Sequence, residues 1–176
     1  LCLDTRTNEI KWQQDDLVGE LGTDKQGIFT LFVDRDNDIW MYSPLGIWVY
    51  NPEQEKWLSW LTNIIKRRSH NMVRAVSQDK QGRIWIGTDQ DGIDILDKKT
   101  GEVRQLRNKA GDERSLQNNT VMVLYEDSSE TMWVGTYKKG ISYFNECAFK
   151  FGAEYIGDIS CIEEDKEGYV WLGTND

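Results

Sequence analysis

The sequence predicts an all-β chain built from repeated four-stranded antiparallel blades. A seven-residue motif recurs four times without gaps: Asp34–Trp40 (DRDNDIW), Asp79–Trp85 (DKQGRIW), Asp127–Trp133 (DSSETMW) and Asp165–Trp171 (DKEGYVW). The Trp-to-Trp spacings are 45, 48 and 38 residues, the length of one β-propeller blade. No window keeps an apolar 3.6-residue period beyond about two turns, so a long helix finds no support.

The elements follow in order. Leu3–Ile10 resembles Leu96–Val103, so residues 1–14 read as the last two strands of a blade, with Trp12 near its outer strand. Residues 27–61, 71–107 and 119–155 read as three full blades. In the second of these the strands are Met72–Ser77, Arg83–Thr88, Gly92–Asp97 and Glu102–Arg107. Leu61–Ser69 reads as a short helical turn or a loop. Residues 157–176 hold the first two strands of a last blade. The expected fold is a propeller fragment of three full blades plus a half blade at each end. Both cuts fall inside the repeat, which favours an arc of a larger propeller over a closed ring of four. The opening Leu1, with no initiator Met, reads as that of an excised piece.

A β-branched residue stands six positions before each motif Asp: Ile28, Val73, Val121 and Ile159. Gly82 and Gly168 occupy a turn position that needs positive φ, and Asn37 replaces them in the first copy. Glu130 breaks the rule, which costs about 1 kcal/mol or implies another turn type. The second strands (Ile39-Trp40-Met41, Ile84-Trp85-Ile86, Met132-Trp133-Val134, Val170-Trp171-Leu172) are apolar on both faces. A one-sided sheet would alternate, so both faces must be covered by neighbouring blades. Each such Trp can bury on the order of 200 Å², roughly 5 kcal/mol of transfer free energy. That makes Trp40, Trp85, Trp133 and Trp171 structural markers first, together with Asp79, Asp127, Asp165, Gly87, Gly135 and Gly173.

Composition narrows the function. The chain has 176 residues and a net charge of −9, which argues against broad nucleic-acid or anionic-membrane binding. No apolar run reaches membrane-span length, and no signal peptide opens the chain. Three Cys (Cys2, Cys147, Cys161) form no CxxC, and Cys161 reads as a buried small apolar residue in its strand. A single His, His70, argues against a His-rich metal site and against a Ser/His/Asp or Cys/His set. Asp34-x-Asp36-x-Asp38 has the oxygen spacing of a calcium-loop start, but the chain resumes a strand at Ile39-Trp40, so the turn reading is preferred and no metal is expected. Lys66-Arg67-Arg68 reads as a solvated connector or, alternatively, an anion contact.

The motifs resemble the two-component regulator propeller repeat. Its pattern is carried by Ser115–Val121, Glu126-Asp127, Met132-Trp133-Val134-Gly135-Thr136 and Gly140–Asn145. The second copy matches through Asn71-Met72-Val73, Gln78-Asp79, Arg83–Thr88 and Gly92–Asp97, and the last keeps Gly168–Thr174. The first copy departs, with Trp40-Met41-Tyr42-Ser43 in place of Trp-x-Gly-Thr. The resemblance implies the periplasmic sensor portion of an inner-membrane hybrid histidine kinase that controls polysaccharide-utilisation genes. It further implies an oligosaccharide ligand, a homodimer in the parent, and DNA contact only through a separate domain. No cofactor and no catalysis are expected of this segment. The alternatives are a propeller scaffold for protein contacts and, further off, a propeller lyase or hydrolase.

Trp48, Trp57 and Trp60 exceed the repeat's needs. Exposed, such rings would stack on sugars; buried, they would pack the outer strands or an inter-blade groove. With Tyr137, which lies in a loop between two strands where propellers commonly bind ligands, they are the candidate ligand-binding residues.

Overall fold

The computed structural model describes residues 2–13, 29–43, 46–68, 72–145 and 150–174. Ile28, His70 and Cys147 lie outside these, as do the side chains of Cys2, Trp12 and Lys66-Arg67-Arg68. The described strands form five separate antiparallel sheets. A leading pair, β1 (Cys2–Asp4) and β2 (Glu9–Trp12), stands alone. Three four-stranded sheets follow: β3 (Thr30–Val33), β4 (Ile39–Ser43), β5 (Gly46–Asn51) and β6 (Lys56–Trp57); β7 (Val73–Gln78), β8 (Ile84–Thr88), β9 (Ile93–Leu96) and β10 (Val103–Leu106); and β11 (Val121–Glu126), β12 (Met132–Thr136), β13 (Gly140–Asn145) and β14 (Lys150–Glu154). A final pair, β15 (Ile159–Glu164) and β16 (Val170–Thr174), forms no ladder with the leading pair. The fold is a propeller fragment of three full blades and two half blades, as the repeat predicts.

Each repeat Trp faces the blade that follows it. Trp40 packs with Val73, Val76, Ile84 and Ile86 of the second full blade. Trp85 packs with Val121, Leu124, Met132 and Val134 of the third. Trp133 lies against Ile159 and Ile162 of the last pair. Among the described residues nothing covers the last pair's outer face, and there Trp171 is 65% exposed while Trp40 is 0%. Cys161 is likewise exposed, correcting the buried reading: its strand lies in that same terminal pair.

The motif Asp organises every turn. One of its oxygens accepts the N–H four residues on in every copy, and also the N–H two residues on at Asp34, Asp127 and Asp165; the other accepts the indole N–H six residues on. The Trp Nε1 distances are 2.8 Å to Asp34 and 2.7 Å to Asp79, Asp127 and Asp165. For Asp165 the Trp171 hydrogen bond, then that from the Tyr169 N–H, holds the carboxyl below the usual carboxylate range. The fixed Asp-to-Trp spacing is thus a hydrogen-bond distance written into the sequence.

All four copies share one turn type. Asn37, Gly82, Glu130 and Gly168 have φ of 62°, 85°, 63° and 86°. Glu130 therefore sits in the left-handed region at a cost of about 1 kcal/mol. We expect Glu130→Asn to raise stability by about 0.5–1 kcal/mol in urea unfolding; an unchanged midpoint would mean that the Glu130–Lys80 contact (3.5 Å) offsets the strain.

Neighbouring turns are clasped by a second repeated bond. The N–H after the motif Asp donates to the side chain before the next blade's Asp. Arg35 N donates to Gln78 Oε1 (2.8 Å), Lys80 N to Glu126 Oε1 (3.0 Å) and Ser128 N to Glu164 Oε2 (2.8 Å). The Gly of Trp-x-Gly-Thr serves the same interface. A Cβ on Gly87 would stand 2.6 Å from Val121 Cγ1 of the next blade.

The connector after β6 is a ten-residue helix, α1 (Ser59–Arg68), so of the two readings the helical one holds, at greater length than a single turn. Leu58, Leu61 and Ile65 bury one stripe in the core shared by the first two full blades. That 58, 61, 65 spacing is helical, but too short to dominate a sequence window.

Candidate functional site

A groove of about 560 Å³ opens between the first and second full blades. Three chain segments meet there: the β3–β4 turn with Asp36 and Asp38, the β5–β6 turn running into α1 with Gln54, Trp57 and Trp60, and the β9–β10 turn with Lys98 and Lys99. Trp60, at the start of α1, is 48% exposed. Trp57 is half-buried, its ring centroid 5.1 Å from that of Tyr50 at 60°. Two indoles thus border a groove that also holds amide, ammonium and carboxylate groups.

The polar end is fixed by one lysine. Lys98 Nζ donates to Asp34 Oδ2 (2.6 Å), Asp36 Oδ2 (2.8 Å) and Asp38 Oδ2 (2.7 Å). The three carboxylates with calcium-like spacing therefore converge on an ammonium from the neighbouring blade. Burial pulls the Lys98 pKa down, but its hydrogen bonds to the carboxylates of Asp34, Asp36 and Asp38 more than offset it and hold it well above the ordinary lysine value. The same contact with Lys98 holds the Asp36 carboxyl below its usual range. Asn51 Nδ2 donates to Asp38 Oδ1 (2.6 Å), completing the wall.

The four aromatic candidates do not converge. Trp57 and Trp60 line the same groove. Trp48 is 7% exposed and packs on Met41, with the Phe29 ring edge-on at 5.8 Å. It is a core residue of the first full blade, because β5 is buried on both faces from Ile47 to Tyr50, and Trp57 packs against the same Met41–Trp48 cluster. Tyr137 lies in the β12–β13 turn two blades away, at the opposite strand ends, with Lys138 Nζ 5.0 Å from its ring centre. Sequence reasoning missed Lys98, Asn51 and Gln54. The Asp34-Asp36-Asp38 run pointed at that place, but its partner lies some sixty residues away and has no motif of its own.

The repeat geometry has a known counterpart. The two component regulator propeller family matches residues 68–90, 115–138 and 156–176. Those three segments match the two component regulator propeller repeat. The copy around Trp40 falls outside the matched segments. There Tyr42 and Ser43 replace Gly-Thr, yet the Asp34–Trp40 bond and the four-stranded sheet are kept.

Solved structures carry the same repeats' fold. The extracellular domain of hybrid two component system BT3049 from B. thetaiotaomicron superposes with TM-score 0.64, at 26% identity, over 83% of this chain and 20% of that one. The corresponding domain of BT4673 from the same organism gives 0.61 at 18% identity, covering 82% and 21%. Virginiamycin B lyase from Staphylococcus aureus gives 0.58 at 12% identity, covering 81% and 47%, a likeness of fold alone. The chain thus spans about one fifth of those two extracellular domains. The comparison with curated proteins gave no match. Among the described residues no helix is long and apolar enough to cross a membrane.

Proposed function

We propose that these repeats form part of the ligand-sensing, extracytoplasmic region of a two-component signalling protein, and that the ligand is an oligosaccharide whose uptake or breakdown genes the parent controls. The observation that carries this is the groove bordered by Trp57 and Trp60. Sugar rings present apolar C–H faces to indoles and hydroxyls to amides and charged groups, and this groove offers both. In this reading the segment binds and does not turn over its ligand. The parent is an inner-membrane histidine kinase with a periplasmic propeller, working as a homodimer whose rigid-body arrangement the ligand biases. DNA contact belongs to a separate part of the parent.

Titration with a panel of neutral plant and host oligosaccharides tests the reading. At least one member is expected to bind, and Trp60→Ala to weaken it about tenfold without moving the melting temperature, since Trp60 is exposed. Absence of binding across the panel would favour the scaffold alternative. Turnover of any member would favour the enzymatic one.

A further inference from the structure

We propose that the cleft between the second and third full blades holds a separate site for a small ligand bearing carboxylate or sulfate groups on an apolar ring body. The groove has a volume of about 460 Å³. Its floor is Leu106, Leu116 and Phe144, and its rim carries Arg104, Arg107, Lys109 and Arg114. It shares no residue with the Trp57–Trp60 groove.

Charge distribution is the first argument. The chain carries 30 acidic against 21 basic residues, yet four of the basic ones line this one groove with Asp112 the one acid in its lining, and of the four only Arg107 has an ion-pair partner, Asp91. Several arginines and lysines elsewhere are neutralised at short range, among them Arg74 by Asp89, Arg83 by Asp79, and Lys98 by its three carboxylates. Arg104, Lys109 and Arg114 form no ion pair among the described residues. Like charges held together without partners repel, and an anion relieves that repulsion.

Rigidity is the second. Arg107 is held by Asp91, with Nη2 2.6 Å from Oδ1 and Nε 3.2 Å from the carbonyl oxygen. The connector bearing Lys109 and Arg114 is stapled to itself. Asn108 Nδ2 donates to the Leu116 carbonyl (2.6 Å), Lys109 N to Ser115 Oγ (2.9 Å), Ser115 Oγ to the Asp112 carbonyl (2.8 Å), and Arg114 N to Asp112 Oδ1 (3.0 Å). The fully buried Leu116 side chain anchors it from below. A loop already ordered in this way loses little freedom on binding.

Polarity along the cleft is the third. Phe144 also lines a second cavity of about 320 Å³, whose walls hold three acids, Asp79, Glu126 and Glu130, against one base, Arg83, which pairs with Asp79. The cleft is therefore acidic at one end and basic at the other, and an anion is directed to the Arg104–Arg114 end. Protection of the edge strand β10 from pairing accounts for Arg104 alone. Lys109 and Arg114 lie on the connector, beyond any strand.

Calorimetric titration of the chain with trigalacturonate, a disulfated disaccharide, neutral galactotriose, sodium sulfate and a short polyglutamate peptide tests the site. One of the two acidic sugars is expected to bind, and to weaken about tenfold or more from low to moderate salt, with galactotriose silent. Arg104→Gln with Arg114→Gln is expected to cost about tenfold or more at an unchanged melting temperature, both residues being exposed. Trp60→Ala is expected to leave this binding intact, which separates it from the neutral-sugar groove. The proposal falls if neither acidic sugar binds, if sulfate or polyglutamate binds as tightly, or if the double variant keeps full affinity.

Discussion

Replacing Lys98 by Met lowers the stability of the chain by about 3–5 kcal/mol and reverses its response to acid. The side chains of Asp34 and Asp38 are 0% and 4% exposed, and Lys98 itself is 10% exposed. Removing the ammonium leaves two buried carboxylates, Asp34 and Asp38, and the exposed Asp36 facing one another without that counter-charge. The pH dependence follows from the signs. The Asp36 carboxyl is held below its usual range, so the stability it contributes is present above about pH 4 and is lost as pH falls through its folded value. The Lys98 ammonium is held above its usual value, so its contribution is present below about pH 10.4 and is lost as pH rises through the folded value. The native lock thus operates between those limits. In the Met variant the carboxylates repel without the ammonium between them, and acid relieves that repulsion and favours the folded state. Melting temperatures measured from pH 7 down to pH 4.5 are therefore expected to hold or fall for the native chain and to climb for Lys98→Met. Parallel curves would show that the lysine neutralises nothing of consequence.

Gly87→Val is expected to cost about 3 kcal/mol or more by wedging two blades apart. The position lies outside the left-handed region, so backbone strain is not the reason. The reason is space: any Cβ meets Val121 Cγ1 at 2.6 Å and Val121 Cβ at 3.0 Å, and Val121 is itself fully buried. Chemical denaturation measures the loss. Adding Val121→Ala makes the room that Gly87 supplies in the native chain, so the double variant is expected to recover at least about 1 kcal/mol over the sum of the single changes. Strict additivity would place the clash elsewhere.

What was legible in the sequence was whatever repeats at a fixed distance. The Asp-to-Trp spacing, the positive-φ turn position and the doubly apolar second strand all recur, and each has one physical cause in the structure. The β8 range read from sequence, Arg83–Thr88, lies within a residue of the observed Ile84–Thr88. What was illegible depends on pairs without a local pattern. Lys98 looks like any turn lysine until the neighbouring blade brings Asp34, Asp36 and Asp38 to it. Trp48 and Trp60 look alike in sequence, but a strand covered on both faces buries one and the start of a helix leaves the other exposed. Cys161 has a core residue's neighbours in sequence, and its exposure is decided by what packs on its blade.

The clasp between successive turns also bears on how such a chain can change length. Every bond of that series joins a residue to one roughly a repeat further on, always in the same direction along the chain. Duplicating or deleting one whole repeat therefore preserves every donor–acceptor match, whereas an insertion of partial length strands a backbone N–H on one side and a Gln or Glu on the other. Gene-level growth of this architecture is confined to whole units, and the register that enforces it is a single backbone hydrogen bond per blade.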